Sequence, residues 1–281
     1  MASFAVAAPA WEEKKDYYAL SWKMKTMLQL NEVEVVRQKR VLLSIPALTL
    51  AEDQVTVILG HNGSGKSTLM NLLARQLQPD SGQVLLDGQD LNSFPQKNLA
   101  QRVAFLPQKL PEVSGLTVRD LVLLGRYPWR GLLGRWQAGD YEKVAKAMRE
   151  TDIAELADQL TDLLSGGERQ RTWIAMLLAQ ESPLLLLDEP TSALDLTHQY
   201  ELMRLLYQLN RDSKRGIVVI LHDVNLACRY ADRILALKKG RLVFDGTPAQ
   251  MLDEKCLSDL YDLDIRLCRH PVQPHPVAVV A

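Results

Sequence analysis

The sequence predicts an α/β fold: a buried parallel sheet covered by helices on both faces, a small antiparallel sheet on its N-terminal side, and a helical lobe inserted in the core. Three observations carry this prediction. Four short, continuous apolar runs alternate with helix-patterned segments, as strands buried on both faces do. Three other runs alternate apolar and polar residues between Gly and Pro turns, the pattern of half-buried antiparallel strands. A glycine-rich stretch, Gly60 to Gly65, separates one apolar run from an amphipathic helix.

The elements follow in order. Residues 1–26 show no sustained period and are expected to form a poorly ordered extension. LQLNEVEVV (28–36), LLSIPALTLA (42–51) and GQVLLDGQDL (82–91) are the antiparallel strands. VTVILG (55–60), VAFLPQ (103–108), LLLLDE (184–189) and IVVILHD (217–223) are the parallel ones. After Gly65, the stripe Leu69, Leu72, Leu73 and Leu77 marks a helix with one apolar face. From about 110 to 175 the pattern is mainly helical, with Asp140 expected as an N-cap and Val144, Ala147 and Met148 sharing a buried face. One amphipathic segment, PAQMLDEKCLSDLY (248–261), precedes a tail at 263–281 whose His270 and His275 are expected to be solvated.

Composition narrows the function. The chain has 281 residues, enough for a sizeable core, and 33 Lys and Arg against 34 Asp and Glu. That balance supplies no excess positive charge for phosphate-backbone binding, so nucleic acid is not expected as a partner. Cys228, Cys256 and Cys268 are odd in number and lack C-x-x-C spacing, which argues against a disulfide framework and a structural zinc site. No uncharged stretch reaches the roughly 18 to 20 residues needed to cross a bilayer. Membrane association is therefore expected to come through a partner.

The chemistry is concentrated in two motifs. Gly60-His61-Asn62-Gly63-Ser64-Gly65-Lys66-Ser67-Thr68 fits G-x-x-x-x-G-K-S/T between a strand and a helix. Its glycines let backbone N–H groups curl around an anion, and the helix N-terminus adds partial positive charge. Lys66 reaches the outer phosphates and the Ser67 hydroxyl can ligate magnesium. Asp188 and Glu189 end a buried strand, where Asp188 can hold the magnesium shell and Glu189 can polarise a water toward a γ-phosphate.

Leu164-Ser165-Gly166-Gly167-Glu168, within LLSGGERQR, resembles the signature of the ATP-binding cassette ATPases. DEPTSALD (188–195) is similar to the same family's run that ends in Asp195. The resemblance covers roughly residues 28–262. It implies a P-loop NTPase cassette at 27–262: a RecA-like core, an antiparallel β subdomain and the helical lobe. It also implies that Ser165, Gly166 and Gly167 bind the γ-phosphate of ATP held by a second subunit. Gln108 sits where the family has a glutamine touching magnesium or its water, and His222 where it has a histidine near the γ-phosphate. Arg37 stands where the family usually stacks an aromatic ring on adenine, so base stacking is expected to be weaker, of cation-π kind, or supplied elsewhere.

One P-loop half and one signature half per chain imply a head-to-tail homodimer closing on two ATP, docked on membrane permease subunits at the cytoplasmic face of the inner or plasma membrane. LTVRDLVLLGRYPWRGLLGRW (116–136) resembles the matching stretch of importers of iron chelates and vitamin B12. GRYPW and GLLGR are most similar to ferric hydroxamate siderophore importer ATPases. The implied function is ATP hydrolysis that powers siderophore import, with a periplasmic or extracellular binding protein delivering the chelate. Alternatives are another cargo such as vitamin B12 or haem, an exporter cassette, or a soluble cassette that remodels nucleic acid or ribosomes. The last usually carries two cassettes or a coiled coil with a basic surface, and this sequence has neither.

Overall fold

The computed structural model describes residues 26–130, 134–192, 194–272 and 275–281. The expected N-terminal extension lies outside them, except for Thr26, which opens the first strand. β1 (Thr26–Arg37) and β2 (Arg40–Ala51) form a long antiparallel pair. β3 (Val55–Leu59) leads through the glycine-rich loop into α1 (Lys66–Leu73). β4 (Ser81–Leu86) returns beside β1, and the short β5 (Gln89–Asp90) pairs with it. α2 (Gln96–Arg102) precedes β6 (Val103–Leu106). Three helices follow, α3 (Val118–Leu124), α4 (Ala138–Glu150) and α5 (Gly166–Gln180), and α5 delivers the chain to β7 (Leu184–Leu187). α6 (Leu196–Ser213), β8 (Gly216–Ile220), α7 (Val224–Tyr230), β9 (Arg233–Lys238) and β10 (Arg241–Gly246) complete the core.

The four predicted parallel strands pair as expected, and the three alternating runs form the antiparallel part. The two parts are one sheet, in the order β5-β4-β1-β2-β10-β9-β3-β8-β7-β6. The join is the β9–β10 hairpin, which the sequence patterns did not single out. β9 runs parallel to β3, while β10 is antiparallel to β9 and meets β2 at Arg241 and Ser44. Its two-residue turn, Lys239-Gly240, has φ of 51 and 77, the positive pair that suits a tight hairpin. A side chain at Gly240 would begin 2.6 Å from the Leu42 carbonyl oxygen. Glycine therefore lets this turn lie against β2, and its N–H donates to the Ser64 carbonyl at 2.9 Å.

Strand alternation divides the apolar residues between the two faces. Val57, Leu185, Leu187, Ile217 and Val219 join a cluster completed by α3, α5, α6 and α7. Ile58, Leu184, Leu186, Val218 and Ile220 join another, with Leu69, Met70, Leu72 and Leu73 of α1 and the inner residues of β1 and β2. Each such buried side chain contributes roughly 1.5–3 kcal/mol. The antiparallel strands thus hold α1, and the loop before it, against the parallel sheet.

Three expectations need correction. Asp140 is not the N-cap of α4; Gln137 is, and Asp140 is the third helical residue of a capping box, accepting the Gln137 N–H at 3.0 Å. Its carboxylate is committed elsewhere too, pairing at 2.9 Å with Arg126, whose side chain is only 3% exposed. Val144, Ala147 and Met148 are buried as predicted. The segment 248–261 is two helices, α8 (Pro248–Met251) and α9 (Glu254–Tyr261), because Thr247 and Asp253 each cap a separate start. Beyond them the tail forms an antiparallel pair, β11 (Ile265–Cys268) with β12 (Val277–Val280).

Candidate nucleotide site

β3, β8, β7 and β6 are neighbours and run parallel, so their C-terminal ends open on one edge of the sheet. This is where α/β sheets bind ligands. From β3 the chain turns at Gly60, with φ of 141 and its missing Cβ 2.2 Å from the Leu237 carbonyl oxygen. Gly63 and Gly65 are also at positive φ, and α1 begins at Lys66. The first N–H groups of a helix have no intrahelical acceptor, so α1 presents donors to the loop.

Lys66 is buried, and its ammonium donates to the carbonyls of Gly60 at 2.8 Å and His61 at 3.0 Å. Burial pushes its pKa down, opposed by the charges of Glu189 and Asp188. The Ser64 hydroxyl is buried with no protein partner. A charged donor and an orphaned hydroxyl beneath a glycine loop suit an anion. Ser67 donates to Asp188 at 3.3 Å, and burial holds the Asp188 carboxyl above the ordinary range despite that bond.

Glu189 lies at the centre. Its backbone is left-handed, with φ of 51, and Ser192 donates to its carbonyl from both N–H and hydroxyl. Non-glycine residues held there are strained, and such residues cluster at functional sites. One carboxylate oxygen accepts from Gln108 Nε2 at 2.6 Å and lies 2.9 Å from His222 Nε2. Gln108 comes two residues after β6 and His222 two residues after β8, so the topology delivers both flanks of β7 to one oxygen. Asn62, Gly63, Lys66 to Thr68, Gln108 and Glu189 line a cavity of ≈ 400 Å³.

Of the sequence-predicted residues, the P-loop, Gln108, Asp188, Glu189 and His222 converge here. Ser165, Gly166, Gly167 and Asp195 do not line this cavity. Ser165 caps α5 in a capping box, donating from its N–H and hydroxyl to Glu168 Oε2 at 2.8 and 2.7 Å, which holds the Glu168 carboxyl below its usual range. Asp195 caps α6, and the His198 N–H it accepts lowers its pKa. Arg37 pairs with Asp80 at 2.9 Å and does not line the cavity, whereas Leu42 does. Leu42 was not singled out, though its place in the alternating β2 run is a weak signal. Tyr261 of α9, also missed, meets the His61 ring edge-on with centroids 5.5 Å apart; nothing in the local sequence marks it.

Comparison with known proteins agrees with this geometry. The family model for the ABC transporter matches residues 43–192. The petrobactin import ATP-binding protein FpuD of Bacillus anthracis is 40% identical over 256 residues, 91% of this chain and 94% of the relative. The ferric enterobactin transport ATP-binding protein FepC of Escherichia coli (strain K12) is 43% identical over 82% of this chain and 85% of its own. The iron(3+)-hydroxamate import ATP-binding protein FhuC of Bacillus subtilis (strain 168) is 38% identical over 85% and 89%. The fold superposes on the dimeric structure of the bacterial ABC transporter cassette MJ0796 with a TM-score of 0.71 at 28% identity, covering 79% of this chain and 99% of that one. A phosphate-binding loop facing a Gln–Glu–His cluster, with more than half the chain inside the family match, makes this protein a member of the ABC transporter family, on its ATP-binding side.

Proposed function

We propose that this chain hydrolyses ATP to power ferric siderophore import through a membrane permease, with iron-hydroxamate as the chelate. The observation that carries the chemistry is the convergence of Gln108 and His222 on the Glu189 carboxylate, beside Lys66. Glu189 takes the proton of the attacking water, and Gln108 and His222 orient that carboxylate. Lys66 and the loop N–H groups hold the phosphates. The Ser67 hydroxyl, the Asp188 carboxylate and the Gln108 carbonyl are hard oxygen donors that fit magnesium. Magnesium bound there would neutralise charge on the β- and γ-phosphates.

Ser165, Gly166, Gly167 and Asp195 serve the nucleotide of a second copy in this proposal. Their absence from the chain's own cavity and the dimeric MJ0796 cassette support a head-to-tail pair. The permease docks on the segment after Gln108, at the cytoplasmic face of the membrane, and among the described residues no helix is long and apolar enough to cross it. An external siderophore-binding protein would select the cargo.

Relatives named for petrobactin, ferric enterobactin and iron(3+)-hydroxamate support an iron chelate as the cargo class. Identity alone does not favour hydroxamate, because the enterobactin relative is the more similar; the choice of hydroxamate rests on the GRYPW and GLLGR stretches. The test is uptake of iron-loaded hydroxamate, ferric enterobactin and vitamin B12 by cells whose only copy is wild type or Glu189→Gln. Loss of hydroxamate uptake alone is expected. Loss of enterobactin or vitamin B12 uptake instead would move the cargo, and no loss of any would remove the import role.

A further inference from the structure

The C-terminal hairpin is attached to the wall of the catalytic site. Asn225 is the second residue of α7 and stands three residues after His222. Its Nδ2 donates to the Ala278 carbonyl at 3.0 Å, and its Oδ1 accepts the Ala278 N–H at 2.8 Å. A side-chain amide thus completes the edge of β12 as a neighbouring strand would. The two bonds run in opposite directions, which fixes which atom of the amide is oxygen. Asp223 caps the same helix start, accepting the N–H groups of Asn225 at 2.7 Å and Leu226 at 3.0 Å. The preceding helix, α9, is attached separately, to the P-loop and to β9. Tyr261 packs edge-on against His61, and Lys238, at the end of β9, donates to the Asp259 carbonyl and to Asp262 Oδ1 at 2.7 Å.

We propose that Asn225 is a positioning residue for ATP hydrolysis: paired with Ala278 of the C-terminal hairpin, it holds the start of α7, and hence His222, at the Glu189 carboxylate. The proposal rests on the ATP-hydrolysis assignment above. His222 lies in the short connection between β8 and α7, so its reach to Glu189 depends on where α7 begins. The capping carboxylate of Asp223 belongs to the same connection and moves with it. The pairing with Ala278 ties that connection to a separate element.

The test is steady-state ATP turnover by the full chain as wild type, Asn225→Ala, Ala278→Pro and the double variant, well below each melting temperature. Ala278→Pro removes the N–H half of that pairing from the other side and leaves the carbonyl half. The Ala278 N–H faces Asn225 and not β11, so proline there spares the β11–β12 ladder. Each single variant is expected to lower kcat about three- to tenfold, the size of one lost hydrogen-bonded constraint, with KM within about twofold. The double variant should be no slower than the worse single one, because both act on the same pairing. Folded variants with unchanged kcat, or with kcat and KM falling in step with melting temperature, would overturn the positioning role and leave the hairpin a structural staple. A folded wild type without turnover would overturn the ATPase assignment and this proposal with it.

Discussion

At the scale of the residue, Glu189 is the proposed base. Its carboxylate is buried, strained into place by a left-handed backbone, and oriented by two side chains. Glu189→Gln keeps shape and hydrogen-bonding capacity but not basicity. It is expected to bind ATP normally and to hydrolyse it about 10² to 10⁴ times more slowly, the range for a general base. Single-turnover hydrolysis beside equilibrium nucleotide binding checks this, and a normal rate would move the base elsewhere. Asp188 gives a pH prediction. Burial raises its pKa, so in the metal-free protein its ionisation costs stability as pH rises through the carboxylate range. A divalent cation prefers the ionised form, so magnesium affinity should rise with pH through a range above the ordinary one for Asp and then level off, while Asp188→Asn binds weakly and without that rise. Calorimetric titration of both proteins reads it; equal pH profiles would remove Asp188 from the metal site. The motif residues were legible in the sequence because their chemistry needs fixed spacing along the chain. Leu42 and Tyr261 were not, because each reaches the site through a tertiary contact that no local spacing encodes. Arg37 was legible as a departure, but its partner Asp80 lies across the sheet in β4's approach.

At the scale of the element, the helical lobe depends on a buried charge. Arg126 donates to Asp140 at 2.9 Å, to Glu181 at 3.2 Å and to the Ala179 carbonyl at 2.8 Å, tying the end of α3 to α4 and to the C-terminal end of α5. Trp129 adds a bond from its indole to the Gln180 carbonyl. Arg126 and Trp129 of GRYPW therefore hold the lobe together, whereas Tyr127 is 64% exposed and free to meet a partner. Arg126→Met strands the Asp140 carboxylate and should destabilise the fold by about 3–5 kcal/mol in urea unfolding. A loss below about 1 kcal/mol would mean that water or Lys143 replaces the guanidinium. The four buried strands were legible because continuous apolar runs have few other uses. The β9–β10 hairpin was not singled out because its charged turn interrupts the run. The C-terminal strands were missed because Pro and His residues dominate their surroundings, and they are held by their own ladder and by side chains distant in sequence such as Asn225 and Glu254.

At the scale of the whole molecule, one continuous sheet sets the P-loop, Gln108, Glu189 and His222 on a single edge, while Ser165 and Asp195 begin helices away from the cavity. The proposed dimer brings those two helix starts of one copy to the cavity of the other. ATP held between two copies favours closure, so Glu189→Gln with ATP should sediment as a dimer and the nucleotide-free chain as a smaller species. The direct measurement is ATP turnover by mixed variants, Lys66→Ala with its P-loop disabled and Ser165→Arg with its signature disabled. Alone, each should be inactive. Mixed one to one with free exchange, half the dimers would pair unlike subunits and hold one intact site of two, so turnover should return to about a quarter of wild type if sites act independently. A chain carrying both substitutions, mixed one to one with wild type, should form unlike pairs with no intact site, so that only the quarter of dimers pairing wild type with itself turn over. Recovery to about a quarter of wild type from two variants that are each inactive alone is the expected result; no recovery, or full activity of Ser165→Arg by itself, would contradict a site shared between two copies.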